Sequence, residues 1–139
     1  MKERVLITGA SGFVGYHLIN EALQNGLEVY AAIRSSSKID HLKHLDIQYT
    51  YPNFDDPAAL KKDIEEKQYD YIIHAAGVTS ARNADEYNLI NATYTYNLAT
   101  AASGGKLKKF VLISSLAAVG PLDDINGIIT EDTPPRPVT

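Results

Sequence analysis

The segment Thr8-Gly9-Ala10-Ser11-Gly12-Phe13-Val14-Gly15 constrains the fold more than any other part of the chain. It follows a short apolar run, Val5-Leu6-Ile7. It precedes a stretch in which Val14, Leu18 and Ala22 recur at helical spacing, with Tyr16, Asn20, Glu21 and Gln24 opposite. The glycines therefore sit where a buried strand turns into an amphipathic helix. Gly9 permits the tight turn, Gly12 removes the Cβ between backbone and ligand, and Gly15 lets the helix pack close to the strand. Such a turn offers backbone N–H groups and the positive end of a helix dipole to an anion, so a pyrophosphate is expected here. Ser11, Phe13 and Val14 lie between the glycines and belong to the same candidate site.

Rival phosphate and nucleophile motifs fail on spacing. A P-loop needs Gly-Lys-Ser/Thr, whereas Gly15 is followed by Tyr16-His17. A nucleophile elbow needs Gly-x-Ser-x-Gly, whereas Ser11 lies in Gly9-Ala10-Ser11-Gly12-Phe13. A chain of 139 residues that is 45% hydrophobic and 22% charged is expected to fold around one core. Its net charge of -4, with Lys and Arg scattered, argues against nucleic acid as a partner. With no Cys, disulfides, thiolate nucleophiles and Cys-ligated zinc are excluded. No apolar run approaches the roughly twenty residues that span a bilayer, and Met1-Lys2-Glu3 shows no signal-peptide pattern, so a cytoplasmic protein is expected, with no membrane partner.

Strands and helices are expected to alternate along the chain. Strand-like segments are Arg4–Thr8, Leu27–Ile33, Ile47–Tyr51, Tyr69–Ala76 and Lys109–Ser114. Helical segments begin at Phe13, stopping at Asn25-Gly26, and at Asp56-Pro57, running to about Lys67. A long helix covers Ala84–Ser103 and closes at Gly104-Gly105, with a short helical piece near Ile39–Leu45. Strands separated by helices pair in parallel through right-handed crossovers. The fold class is therefore α/β, a Rossmann-type doubly wound parallel sheet of strand order 3-2-1-4-5. After Gly120 the chain becomes rich in Pro, Asp, Asn and Gly, an extended stretch with no helix to return it. Residues 1–120 are thus expected to form the NAD(P)-binding domain. Residues 121–139 are expected to be an extended loop that leaves the architecture unfinished.

The glycine segment resembles the TGxxGFxG signature of extended short-chain dehydrogenase/reductases, the NAD(P)-dependent epimerase/dehydratase family, at every fixed position. Three later segments resemble that family's motifs in the same order. Tyr69–Gly77 is similar to its strand ending in HxAG, Asn91–Ala102 to its N-x-x-G-T-x-N-L-x-x-A-A helix, and Phe110–Gly120 to its FVxxSSxxVYG strand. Tyr94 stands in place of the usual glycine and Val119 where a tyrosine is common. The resemblance implies that the loop at Ala75, Ala76 and Gly77 passes the cofactor, and that Ser115 hydrogen-bonds substrate and the catalytic tyrosine. On residue type alone, Ser115 reads as a cap.

Strand two ends Ala31-Ala32-Ile33-Arg34-Ser35-Ser36, without the carboxylate that NAD-specific sheets use to bind the adenosine ribose. Arg34, with Ser35 and Lys38, suits a 2'-phosphate, so NADP is favoured over NAD. The alternative is that Arg34 stacks on adenine or points into solvent. Asn53-Phe54 stands where the family places an acidic and an aliphatic residue beside the adenine; it also reads as an ordinary turn before the Asp56-Pro57 cap. His74, inside a strand, is expected to be a hydrogen-bonded structural residue.

The resemblance implies that residues 121–139 lead toward a catalytic helix, further strands and a substrate lobe that this sequence does not include, and the family's catalytic Tyr-x-x-x-Lys pair is absent from these residues. The chain resembles the cofactor-binding portion of a longer sugar-nucleotide epimerase/dehydratase or carbonyl reductase, and this portion alone is expected to be inactive. The alternative is a dinucleotide-sensing regulator that does no chemistry. No metal site is expected, since Asp123, Asp124, Glu131 and Asp132 lie in a loop without His or ligand spacing. Leu89, Ile90, Tyr94, Tyr96 and Leu98 give the 84–103 helix more apolar surface than one sheet face covers, so a homodimer through it is expected.

Overall fold

Strands β1 (Arg4–Thr8), β2 (Glu28–Ala32), β3 (Gln48–Thr50), β4 (Tyr71–His74) and β5 (Lys109–Leu112) form one parallel sheet in the order β3-β2-β1-β4-β5. This topology is seen in a computed structural model that describes residues 2–138. Leu6 is flanked by Tyr30 of β2 and Ile72 of β4. Side chains alternate faces along a strand, and β1 accordingly feeds two cores. Val5 and Ile7 pack with Ile19 and Ala22 of helix α1 (Phe13–Gln24), whereas Leu6 packs with Leu60, Ile72, Leu98 and Ala101. Both faces of the central strand are apolar because helices cover both.

Helix α2 (Pro57–Lys67) begins as its residues require: the Asp56 carboxylate accepts the Ala58 and Ala59 N–H groups, each at 3.0 Å, and Pro57 occupies the first turn. It ends at Gln68 in the left-handed conformation, φ 52°, with no glycine to mark the stop. The third helical region is not one continuous α-helix. Helix α3 (Ala84–Asn88) passes through a π-helical turn, Leu89–Thr93, into α4 (Tyr94–Ala102). At the turn the Asn91 side chain clasps the Val78 backbone, accepting its N–H at 2.8 Å and donating to its carbonyl at 2.9 Å. A π turn inserts one extra residue and rephases a helix. Here it accompanies both the Asn91 contact and the burial of Leu98.

Strands β2, β3, β4 and β5 are each shorter than their apolar runs. For β4 the reason is visible: Ala75 and Ala76 leave the ladder because their N–H groups go to the Thr8 hydroxyl, at 3.2 and 3.1 Å. The Ile39–Leu45 piece contracts to a 3-10 turn, Asp40–Leu42. Residues 121–138 contain no helix or strand, and Arg136 folds this stretch back by gripping Asp123 at 3.0 and 3.1 Å and the Pro121 carbonyl at 2.9 Å. Among the described residues no helix is long and apolar enough to cross a membrane, and no cluster of His, Asp and Glu is arranged for a metal.

Candidate functional site

The turn after β1 is closed by the Gly12 N–H donating to the Gly9 carbonyl at 2.9 Å. Gly9 has φ +66°, and a Cβ there would lie 2.6 Å from the Ala75 carbonyl oxygen. At Gly15 a Cβ would lie 2.2 Å from the Gly9 carbonyl oxygen, so helix α1 rests directly on the turn. This helix differs at its N-terminus from α2 and from α3, which opens the third helical region. Asp56 caps α2 and Asn83 caps α3, but no side chain caps α1 and its first turn holds no acid. Its positive end and first N–H groups are left for an external anion. The residues present therefore fit a dinucleotide pyrophosphate.

A cleft of about 300 Å³ opens over this turn, at the carboxyl ends of β1, β2 and β4. Its phosphate side is Thr8, Gly9, Ser11 and Gly12; its floor is Ala75, Ala76, Gly77 and Val78. Its far end is formed by Ile33, Arg34 and Ser37 after β2, Pro52 and Phe54 after β3, and Ile90 and Tyr94 from the third helical region. The cleft sits beside β1, where the chain order of the sheet reverses, the place where open α/β sheets bind ligands.

Of the residues expected from sequence, Gly9, Ser11, Gly12, Arg34, Phe54, Ala75, Ala76 and Gly77 are brought together in the cleft. Phe13 is exposed in an adjoining depression with Tyr16 and His41, Val14 is half-exposed on α1, and Gly15 lies beneath the turn. Ser35 and Lys38 are exposed outside the lining. Asn53 is also outside it, its side chain accepting the Asp55 N–H at 3.2 Å in a turn. Ser115 is exposed beyond β5 and caps a 3-10 turn by accepting the Ala117 N–H at 3.2 Å.

Several lining residues carried no sequence signal of their own. Ser37 holds the Arg34 backbone from both sides, accepting the Arg34 N–H at 3.0 Å and donating its own N–H to the Arg34 carbonyl at 2.9 Å. Arg34 lines the cleft and makes no ion pair among the described residues. Tyr94 stacks on Phe54 with ring centroids 5.7 Å apart and donates to Asp55 Oδ2 at 3.1 Å. Burial, reinforced by Asp55, raises the pKa of the Tyr94 phenol. From the sequence, Tyr94 is expected on a self-association surface rather than in the cleft; its departure from the family's glycine is the signal that could have found it. The other apolar residues of this region are divided: Ile90 and Tyr94 line the cleft and Leu98 is in the core, leaving Leu89 and Tyr96 exposed.

His74 is 1% exposed and hydrogen-bonded on both ring nitrogens, to Thr8 at 2.6 Å and Thr95 at 2.9 Å. Burial holds its pKa below the ordinary imidazole value. The unfolded chain therefore takes up a proton that the folded chain resists. Stability is full above about pH 6.5, the free imidazole value, and falls as pH drops below it. Urea melts from about pH 8 to about pH 5 are expected to show this slope, and His74→Asn is expected to flatten it.

Residues 5–139 match the profile of the NAD dependent epimerase/dehydratase family. The chain is similar to aldehyde reductase 2 of Sporidiobolus salmonicolor, 34% identical over 92% of this chain and 40% of that protein. It is also similar to the ceramide reductase of Caulobacter vibrioides, 32% identical over 84% of this chain and 36% of the relative. The solved UDP-glucuronic acid 4-epimerase from Bacillus cereus in complex with NAD matches with a TM-score of 0.79 at 26% identity, across 98% of this chain and 47% of that structure. The chain thus spans less than half the length of these proteins. By its sheet order, its glycine turn and this match over nearly its full length, the chain belongs to the NAD dependent epimerase/dehydratase family.

Proposed function

We propose that this chain carries the dinucleotide of an NAD(P)-dependent oxidoreductase or isomerase acting on a hydroxyl- or carbonyl-bearing substrate in the cytoplasm. The observation that carries the reading is the uncapped N-terminus of α1 over a cleft whose turn admits no Cβ at Gly9 or, beneath it, at Gly15. The nicotinamide, when bound, supplies hydride transfer; the chain's own residues bind and orient it. The α1 N–H groups hold the pyrophosphate, Phe54 and Tyr94 wall the adenine end, and Ala75–Val78 form the floor. Ser115 keeps its hydroxyl proton free of the Ala117 contact and is able to donate it to a substrate oxygen. The relatives' names include reductases and a UDP-sugar epimerase, so a nucleotide-sugar falls within the substrate class. With no Tyr-x-x-x-Lys in its sequence, the chain alone binds dinucleotide without turnover.

NADP is the favoured cofactor, because Arg34 lines the cleft after β2 and makes no ion pair among the described residues. Calorimetric titration with NADP+ and NAD+ tests both the binding and the preference. Arg34→Ala is expected to weaken NADP+ by about tenfold to a hundredfold while leaving NAD+ within about twofold, since a charge-assisted phosphate bond is lost. An equal loss for both would place Arg34 on the adenine instead, and no loss for either would place it in solvent.

Leu89 and Tyr96 remain exposed on the third helical region, at 40% and 71%. Self-association through this surface is proposed on that basis. Light scattering is expected to show a mass that rises with concentration, and Tyr96→Glu is expected to return it to the monomer. A monomer mass at every concentration would refute it.

A further inference from the structure

Thr8 of β1 and His74 of β4 face each other across paired strands, and both are buried. The Thr8 hydroxyl accepts the N–H groups of Ala75 and Ala76, at 3.2 and 3.1 Å, which occupies both of its lone pairs. Its one proton is therefore donated to the remaining partner, Nδ1 of His74, at 2.6 Å. That leaves the imidazole neutral with its proton on Nε2, which donates to Thr95 Oγ1 at 2.9 Å. Thr95 in turn donates to the Asn91 carbonyl at 3.0 Å, and the Asn91 side chain clasps the Val78 backbone. Both ends of this chain of hydrogen bonds finish on residues 75–78, the cleft floor, which lies beyond the end of β4. The rings of Phe54 and Phe110 flank the imidazole, 6.2 and 6.4 Å away.

We infer that His74 is a positioning residue for the dinucleotide: through Thr8 on one ring nitrogen and Thr95–Asn91 on the other, it sets the backbone of Ala75–Val78 that the cofactor meets. The inference rests on the reading of the cleft as a dinucleotide site. A merely space-filling histidine would have no preferred direction of proton donation and would be replaced by any ring of similar size. The hydrogen-bond directions instead require one tautomer, and they make the two halves of the connection separable. Asparagine places an acceptor near the position of Nδ1, and glutamine a donor near that of Nε2.

Two measurements test it. Long-range nitrogen–proton NMR of the wild-type chain reads which ring nitrogen is protonated without any substitution; Nε2–H is expected, and Nδ1–H would overturn the inference. Calorimetry with NADP+ and NAD+ then compares His74→Phe, His74→Asn and His74→Gln with Leu60→Ala, a core change on α2 away from the floor. His74→Phe is expected to weaken both dinucleotides by about tenfold, with Asn and Gln each recovering part of the loss. Leu60→Ala is expected to lower Tm without changing affinity. Folded His74→Phe with wild-type affinity, or an affinity loss in Leu60→Ala matching that of His74→Phe at equal Tm, would overturn it. Failure of the wild-type chain to bind either dinucleotide would overturn the cofactor reading, and with it the purpose assigned to His74, while leaving the tautomer result intact.

Discussion

Gly15→Ala is expected to abolish measurable dinucleotide binding, a loss of at least about a hundredfold, and to destabilise the fold by about 1–3 kcal/mol. The new Cβ would lie 2.2 Å from the Gly9 carbonyl oxygen, 2.7 Å from Ala10 Cα and 2.8 Å from the Gly9 carbonyl carbon. All three are backbone atoms, so no side chain is able to swing aside. Either α1 or the turn has to move, and each movement separates the helix N-terminus from the turn that closes over the anion. Gly26→Ala is the matched control. Gly26 has φ +77° but nothing lies within 4 Å of where its Cβ would stand, so the substitution carries only the left-handed strain of about 1 kcal/mol. It should leave affinity unchanged. Calorimetry and urea melts on both variants check the pair, and Gly15→Ala binding as well as Gly26→Ala would contradict the geometry of the turn.

Leu98→Ala is expected to cost about 2–5 kcal/mol and to lower Tm by about 10 °C or more. Leu98 is 0% exposed and packs with Leu6, Leu60 and Ile72, at the place where α4 meets α2 and the sheet. Truncation removes apolar burial and leaves a cavity that a helix held at both ends is poorly able to close. Because domains of this size are stable by about 5–15 kcal/mol, the loss is a large fraction of the whole. Lys62→Ala, whose side chain is 76% exposed, is expected to change stability by less than about 0.5 kcal/mol. Equal melts for the two variants would show that the α4 packing is not the core described.

The parts of the fold that were legible in the sequence are those in which neighbouring residues determine the structure. Val5-Leu6-Ile7 before the glycines, Asp56-Pro57 at the start of α2, and Asn25-Gly26 at the end of α1 each carry their own physical reason. The features that escaped depend on residues distant in sequence. The π turn goes with an Asn91 contact to Val78, thirteen positions away, and the early end of β4 depends on the Thr8 hydroxyl, sixty-seven positions from Ala75. The site divides in the same way. Gly9, Gly12 and Arg34 announce themselves by type and spacing. Ser37, Pro52 and Val78 reach the cleft only because the sheet order brings three loops together. Tyr94 lies between these cases: its difference from the family glycine was visible, but its stack on Phe54 required the folded chain.

If the α1 N-terminus and the 75–78 floor form one dinucleotide site, a bound cofactor has to touch both. Amide NMR of the nitrogen-labelled chain, titrated with NADP+ to saturation, tests this most directly. The largest shifts are expected to fall on Gly12–Gly15 and on Ala75–Val78 together, with those of α2 and of residues 121–138 staying in place. Saturation that moved neither group, or that moved only residues remote from the glycine turn, would contradict it.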